Sequence, residues 1–184
     1  EVMSFGVTQS VRRYEQMREV PLQNDDPPAF HFDPRLPGMT FDTIQQPVRF
    51  DEPADVRRPD NLEDAAFWPV TKLAALIKSG QVKPSELTEM YLARLKRLDS
   101  MLKFVVSLTE ERARKQAKQA DDEIAAGNYR GMLHGIPWGA KDLIAVQGYP
   151  TTWGTSLFRE QVFDYDATVV QRLEEAGAVL VAKL

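Results

Sequence analysis

Two apolar runs, Ile136–Ala140 and Ala178–Ala182, flank a segment punctuated like a single helix, and this arrangement restricts the fold more than any other part of the chain. The first run is short and bounded by Gly135 and the polar pair Lys141–Asp142, which reads as a buried strand running into a loop. The second is unbroken, as suits a strand buried on both faces. Between them Asp166 is an expected N-cap, Val169, Val170 and Leu173 an expected inner face, and Gly177 an expected stop. Strand, loop, helix and strand make a βαβ unit, whose strands are expected to be parallel with a right-handed crossover. The fold class expected is therefore α/β. Ligand sites in such sheets lie beyond the carboxyl ends of the strands, and Lys141 falls at one of those ends.

Strand side chains alternate, so Gly139 and Lys141 should share a face, with Gly139 leaving room for another chain segment or a substrate. Pro137 lacks an N–H and belongs at the strand start or on an edge. Gly148, Pro150, Thr151, Thr152 and Gly154 then shape a loop. Lys141 has two readings. A charge leaving a sheet can snorkel to solvent, and lysine is almost never fully buried. A lysine held in a dry site instead loses its proton more easily and can act as a general base. The strand-end position favours the second.

Upstream, Thr71 is an expected cap for a helix over Lys72–Ser79, with Gly80 at its end, and Pro84 suits the first turn of the next helix. Leu87, Met90, Tyr91, Leu95 and Leu98 recur at helical spacing and should face the core. Phe104–Leu108 reads as a strand, and Thr109 as the cap of a helix whose narrow inner face is Ala113, Ala117, Ala120 and Ile124. Its charged residues, including the neighbouring Asp121 and Asp122, read as a solvated outer face.

These pieces resemble a known family. GIPWGAKDLIAVQGYPTTWG followed by DATVVQRLEEAGAVLVAKL is similar to the first half of an amidase-signature enzyme. The likeness starts near Asn61 and takes in PVTKLAALIKSGQVKPSELTEMYLARLKRLD and TEERARKQAKQADDEIAAG. Each helix is unspecific alone, but in this order around GIPWGAKD they are specific. The resemblance implies a mixed sheet between helices, and amide-bond hydrolysis by a Ser–Ser–Lys triad in which Lys141 matches the catalytic lysine. It implies a small-molecule amide substrate and no cofactor or metal. The family's two serines and their Gly/Ser-rich segment come later than Leu184. The lysine is therefore the one triad member expected within these residues, which by themselves are expected to be inactive. Within the same family, the ammonia-releasing subunit of a glutamine-dependent amidotransferase is an alternative. A non-catalytic interaction protein built on half the fold is another.

Residues 1–60 differ from the rest and are expected to form a proline-rich arm before an amidase-type part at 61–184. The arm contains Pro21, Pro27, Pro28, Pro34, Pro37, Pro47, Pro53 and Pro59 of the chain's 12 prolines. A short helix is expected around Gln9–Val20, and HFDPRLPGMTFD should be extended or turned. Phe30, Phe32, Phe41 and Phe50 are expected to pack into grooves, with an arm that binds a partner or forms a homodimer as the alternative. The net charge of −4 gives no electrostatic case for nucleic acid or an anionic membrane. No apolar run approaches the roughly 20 residues that span a bilayer. With no cysteine, thiolate chemistry is absent and the redox compartment open. The first residues lack the apolar core of a signal peptide, which tilts the expectation toward the cytoplasm; a signal removed by processing would leave the same sequence. His31 and His134 have no carboxylate spacing that suggests a metal site. Gly135-x-x-x-Gly139 lacks the spacing of a phosphate loop. His134 is expected in a loop at the far end of the strand from Lys141.

Overall fold

The computed structural model describes every residue except 1, 23–25, 27–29, 31, 37, 45, 47–49 and 51–52, so His31 and Pro37 lie outside the described residues. The chain divides into two units, Glu1–Val48 and Arg49–Leu184.

The first unit contains helix α1 (Val2–Arg18), which begins earlier than the sequence suggests. Its described side chains are exposed throughout. Further along, Arg35 forms a surface pair with Asp33 at 2.6 Å. Phe30, Phe32 and Phe41 are largely exposed, as is Phe50 at the start of the second unit. Of the four rings, Phe50 belongs to the second unit and lines a cavity there.

In the second unit the helices are α2 (Val70–Lys78), α3 (Pro84–Leu102), α4 (Glu110–Ala125) and α5 (Thr168–Glu175). The strands are β1 (Ser107–Leu108), β2 (Pro137–Ala140) and β3 (Val179–Lys183). The sheet order is β1–β3–β2, with β3 antiparallel to β1 and parallel to β2. All five β3 positions are buried, as the unbroken apolar run requires. The period-two alternation of a strand sorts them. Val179 and Val181 pack with Leu92 of α3 and Ala113 and Ala117 of α4. Leu180 packs with Val170 of α5, Ala140 and Val146. The mixed sheet therefore lies between helices. A third cluster joins Leu73, Leu76 and Ile77 of α2 to Leu87 of α3 and Ile136.

Local chemistry departs from the sequence reading at several caps. Helix α2 starts after Pro69, which places Thr71 inside the first turn. Gly80, at φ +71°, closes it. Pro84 opens α3 as expected, and the Lys83 N–H donates to Glu86 at 2.9 Å. Thr109 occupies the cap position of α4, but its hydroxyl donates to the Leu180 carbonyl at 2.7 Å instead. Strand β1 keeps two residues of the expected five because the Asp99 carboxylate accepts the N–H groups of Phe104 and Val105, each at 2.9 Å. Asp166 does not cap α5, where Ala167 stands. Its carboxylate pairs with both terminal nitrogens of Arg112 and accepts the Gln147 N–H. Val170 faces inward from α5, whereas Val169 is exposed. Asp122 pairs with Lys118 on the surface, but Asp121 accepts the Ser85 N–H at 3.2 Å and so joins α4 to the start of α3.

Candidate active site

Pro137 starts β2, where its missing N–H does no harm. The strand ends at Ala140, but its pairing with the end of β3 continues. Leu184 N–H donates to the Ala140 carbonyl at 2.8 Å, and Asp142 N–H donates to the Leu184 carbonyl at 2.7 Å. Both neighbours of Lys141 are thereby fastened to one residue. The space over Gly139 is taken by that residue's side chain: a Cβ at 139 would lie 2.5 Å from Leu184 Cδ1. Of the two occupants expected there, the structure shows the chain segment. Lys141 itself is exposed, so among these residues it does not sit in a dry pocket.

The dry lysine is Lys183, at 0% exposure. Its ammonium donates to the Pro150 carbonyl at 2.5 Å and to the Thr151 hydroxyl, and it lies 3.2 Å from Asp142 Oδ1. Asp142 Oδ2 accepts the Thr152 N–H at 3.0 Å and the Thr152 hydroxyl at 2.5 Å. Burial pushes the Asp142 carboxyl up, but the Thr152 hydroxyl, the Lys183 ammonium and the Thr152 N–H outweigh it and leave it below the usual carboxylate range. Burial of Lys183 outweighs its pairing with Asp142 and holds its ammonium below the usual lysine range. The sequence reading ended this strand at Ala182 and missed Lys183. The available signal was a single lysine closing an apolar run, in register with Ala140.

The loop beyond is held the same way. Thr151 is buried, donates its N–H to Gln161 and accepts the Gln161 amide. Trp153 and Gly154 both have positive φ, +51° and +74°. Trp153 is half exposed and stacks edge-on to Phe158 at 4.9 Å between ring centroids. His134 lies before β2, at the end of the strand remote from Lys141, as expected. It sits in a turn, buried, and its Nε2 faces Glu123 at 3.2 Å.

Among the described residues no cluster of three or more His, Cys, Asp or Glu side chains could hold a metal. None of the described helices is long and apolar enough to cross a membrane. A cavity of about 640 Å³ opens beside α2, lined by Thr71, Ala74, Lys78, Tyr129 and Met132 among others, none of them from the segment around Lys141.

Known proteins are similar to this chain. The chain is 44% identical over 133 residues to the protein AmiD of Mycobacterium bovis, covering 71% of this chain and 28% of that one. It is 43% identical over 103 residues to a glutamyl-tRNA(Gln) amidotransferase subunit of Anaeromyxobacter sp. (strain K), covering 56% of this chain and 21% of that one. Among solved structures it superposes on the peptide amidase of Stenotrophomonas maltophilia with a TM-score of 0.60 and 36% identity, over 65% of this chain and 25% of that one. A bacterial aryl acylamidase of the amidase-signature family gives a TM-score of 0.57 at 25% identity, over 62% of this chain and 24% of that one. The chain thus spans about a quarter of the length of these relatives. The Amidase family pattern matches residues 86–184, from the first turn of α3 through the lysine-bearing loop to the end of β3, and the chain belongs to that family.

Proposed function

We propose that this chain is the lysine-bearing part of an amide hydrolase, with Lys141 as the general base of a Ser–Ser–Lys relay. The observation that carries the reading is the setting of Lys141. Its side chain is exposed just past the carboxyl end of a parallel strand, while the backbone on both sides is fastened to Leu184. A base must be reachable by the group it deprotonates and held in one place. The two serines come from the segment that follows in the family pattern. Lys141 takes the proton of the bridging serine as that serine takes the proton of the nucleophile. The nucleophile's oxygen bonds to the amide carbon. The relay then delivers a proton to the departing nitrogen as the C–N bond breaks, and water hydrolyses the acyl–serine bond, which releases the acid and restores the serine hydroxyl.

Lys141→Ala, in the full-length enzyme that carries this chain, is expected to lower kcat by about 10²–10⁴-fold. The circular dichroism spectrum and melting temperature should stay close to wild type, because among the described residues the Lys141 side chain is exposed. Normal turnover by the folded variant would overturn the assignment.

A second reading in the same family is favoured by the likeness to the glutamyl-tRNA(Gln) amidotransferase protein. In that case glutamine is the amide, and ammonia is released for a tRNA-linked step. Ammonia release from glutamine that depends on a co-purifying second subunit would select it. Hydrolysis of other carboxamides by the purified single protein would select the first.

A further inference from the structure

We propose that Lys183 and Asp142 are positioning residues for Lys141: a buried clasp that fixes the backbone carrying the base. The proposal rests on Lys141 being the base.

Three observations carry it. The Lys183 ammonium is fully buried, and its three partners, Asp142, Pro150 and Thr151, all lie in the loop that begins at Lys141. Asp142 carries the tie onward to the backbone and hydroxyl of Thr152. The next residue of the chain, Leu184, grips the peptide groups on both sides of Lys141. Consecutive residues at the end of β3 thus hold the base-bearing backbone from two sides, one by its peptide groups and one by side-chain charge.

A buried ion pair is a poor device for stability alone, since well-packed apolar residues do as well or better. Its distinctive effect is a fixed geometry. Asp142 is adjacent to Lys141 in the chain, and its buried carboxylate is turned to Lys183 and Thr152 while the Lys141 side chain is exposed. Without Lys183 the carboxylate would be buried with no counter-charge, and the turn that carries Lys141 would lose its tie to β3.

The test is kcat and KM in the full-length enzyme, measured for wild type, Lys183→Met, Lys183→Arg, Asp142→Asn and Lys141→Ala. Lys183→Met should lower kcat about 10- to 100-fold with little change in KM, as expected for a displaced catalytic group. Asp142→Asn, which keeps an acceptor for Thr152 and leaves Lys183 uncompensated, should lower kcat in the same way. Lys183→Arg, which keeps the charge, should recover part of the loss, and Asp142→Asn carries the test if Lys183→Met does not fold. A kcat that stays at the wild-type value in the folded variants would mean that the pair serves folding only, and would overturn the proposal while leaving Lys141 as the base. Turnover that survives in Lys141→Ala would overturn the base assignment and the clasp together.

Discussion

At Gly177 the backbone φ is +82°, and an added Cβ would lie 2.3 Å from Cδ2 of the buried His134 ring. The residue ends α5, and its carbonyl accepts the Gly135 N–H at 2.8 Å, so it cannot swing away without loosening the entry to β2. Gly177→Ala is therefore expected to destabilise the protein by about 2–4 kcal/mol, combining a left-handed backbone with overpacking. Denaturant unfolding would check this; a loss under about 0.5 kcal/mol would mean that His134 can move aside. A stop glycine at 177 was readable from the sequence. The close approach of the imidazole was not, because it depends on a turn more than 40 positions earlier. The site divides in the same way. GIPWGAKD singled out Lys141, but a chemical pattern along one segment could not show that a second lysine, brought alongside by sheet register, carries the burial expected of the first.

At the scale of elements, periodicity carried most of the fold. The apolar run of β3, the parallel partner β2 and the alanine face of α4 all occur where spacing puts them. What spacing missed were side chains competing for backbone donors: Asp99 shortens β1, and the Asp166 carboxylate goes to Arg112 and Gln147 rather than capping a helix. Small residues on α4 let it sit close to the sheet, with Ala113 and Ala117 against Val179, Val181 and Leu92. Ala117→Leu should accordingly cost about 1–3 kcal/mol through overpacking, although leucine is a good helix former. A melting temperature equal to wild type would show that α4 can shift outward and that its alanines are not required for contact.

For the whole molecule, buried ionisable groups set the response to pH. Burial holds His134 below the ordinary histidine range, against the pull of Glu123, whose own carboxyl is drawn down to about 2, chiefly by Arg130 and also by Gln119. The unfolded chain then binds a proton at His134 more readily than the folded one. The corresponding stability is complete above about pH 6.5 and declines as pH falls from there. Asp142 and Asp166 both lie below the usual carboxylate range, Asp166 because Arg112 and the Gln147 N–H outweigh its burial. Their contribution is complete above about pH 4 and declines as pH falls further. The urea midpoint should therefore drop in two stages, and His134→Gln should flatten the first while sparing the second. A first stage that persists in the variant would assign it to another group.

The order β1–β3–β2 also has a consequence for the growing chain. The central strand is the last of the three to be synthesised. Helices α2 and α3 can collapse on each other as soon as both have emerged, but among the described residues the sheet partner of both β1 and β2 is β3, which follows several seconds later at roughly 5–20 residues per second. During that interval the two strands lack their shared partner and the alanine face of α4 lacks the sheet side of its contacts, so a chaperone would find apolar surface to bind through this stretch of synthesis.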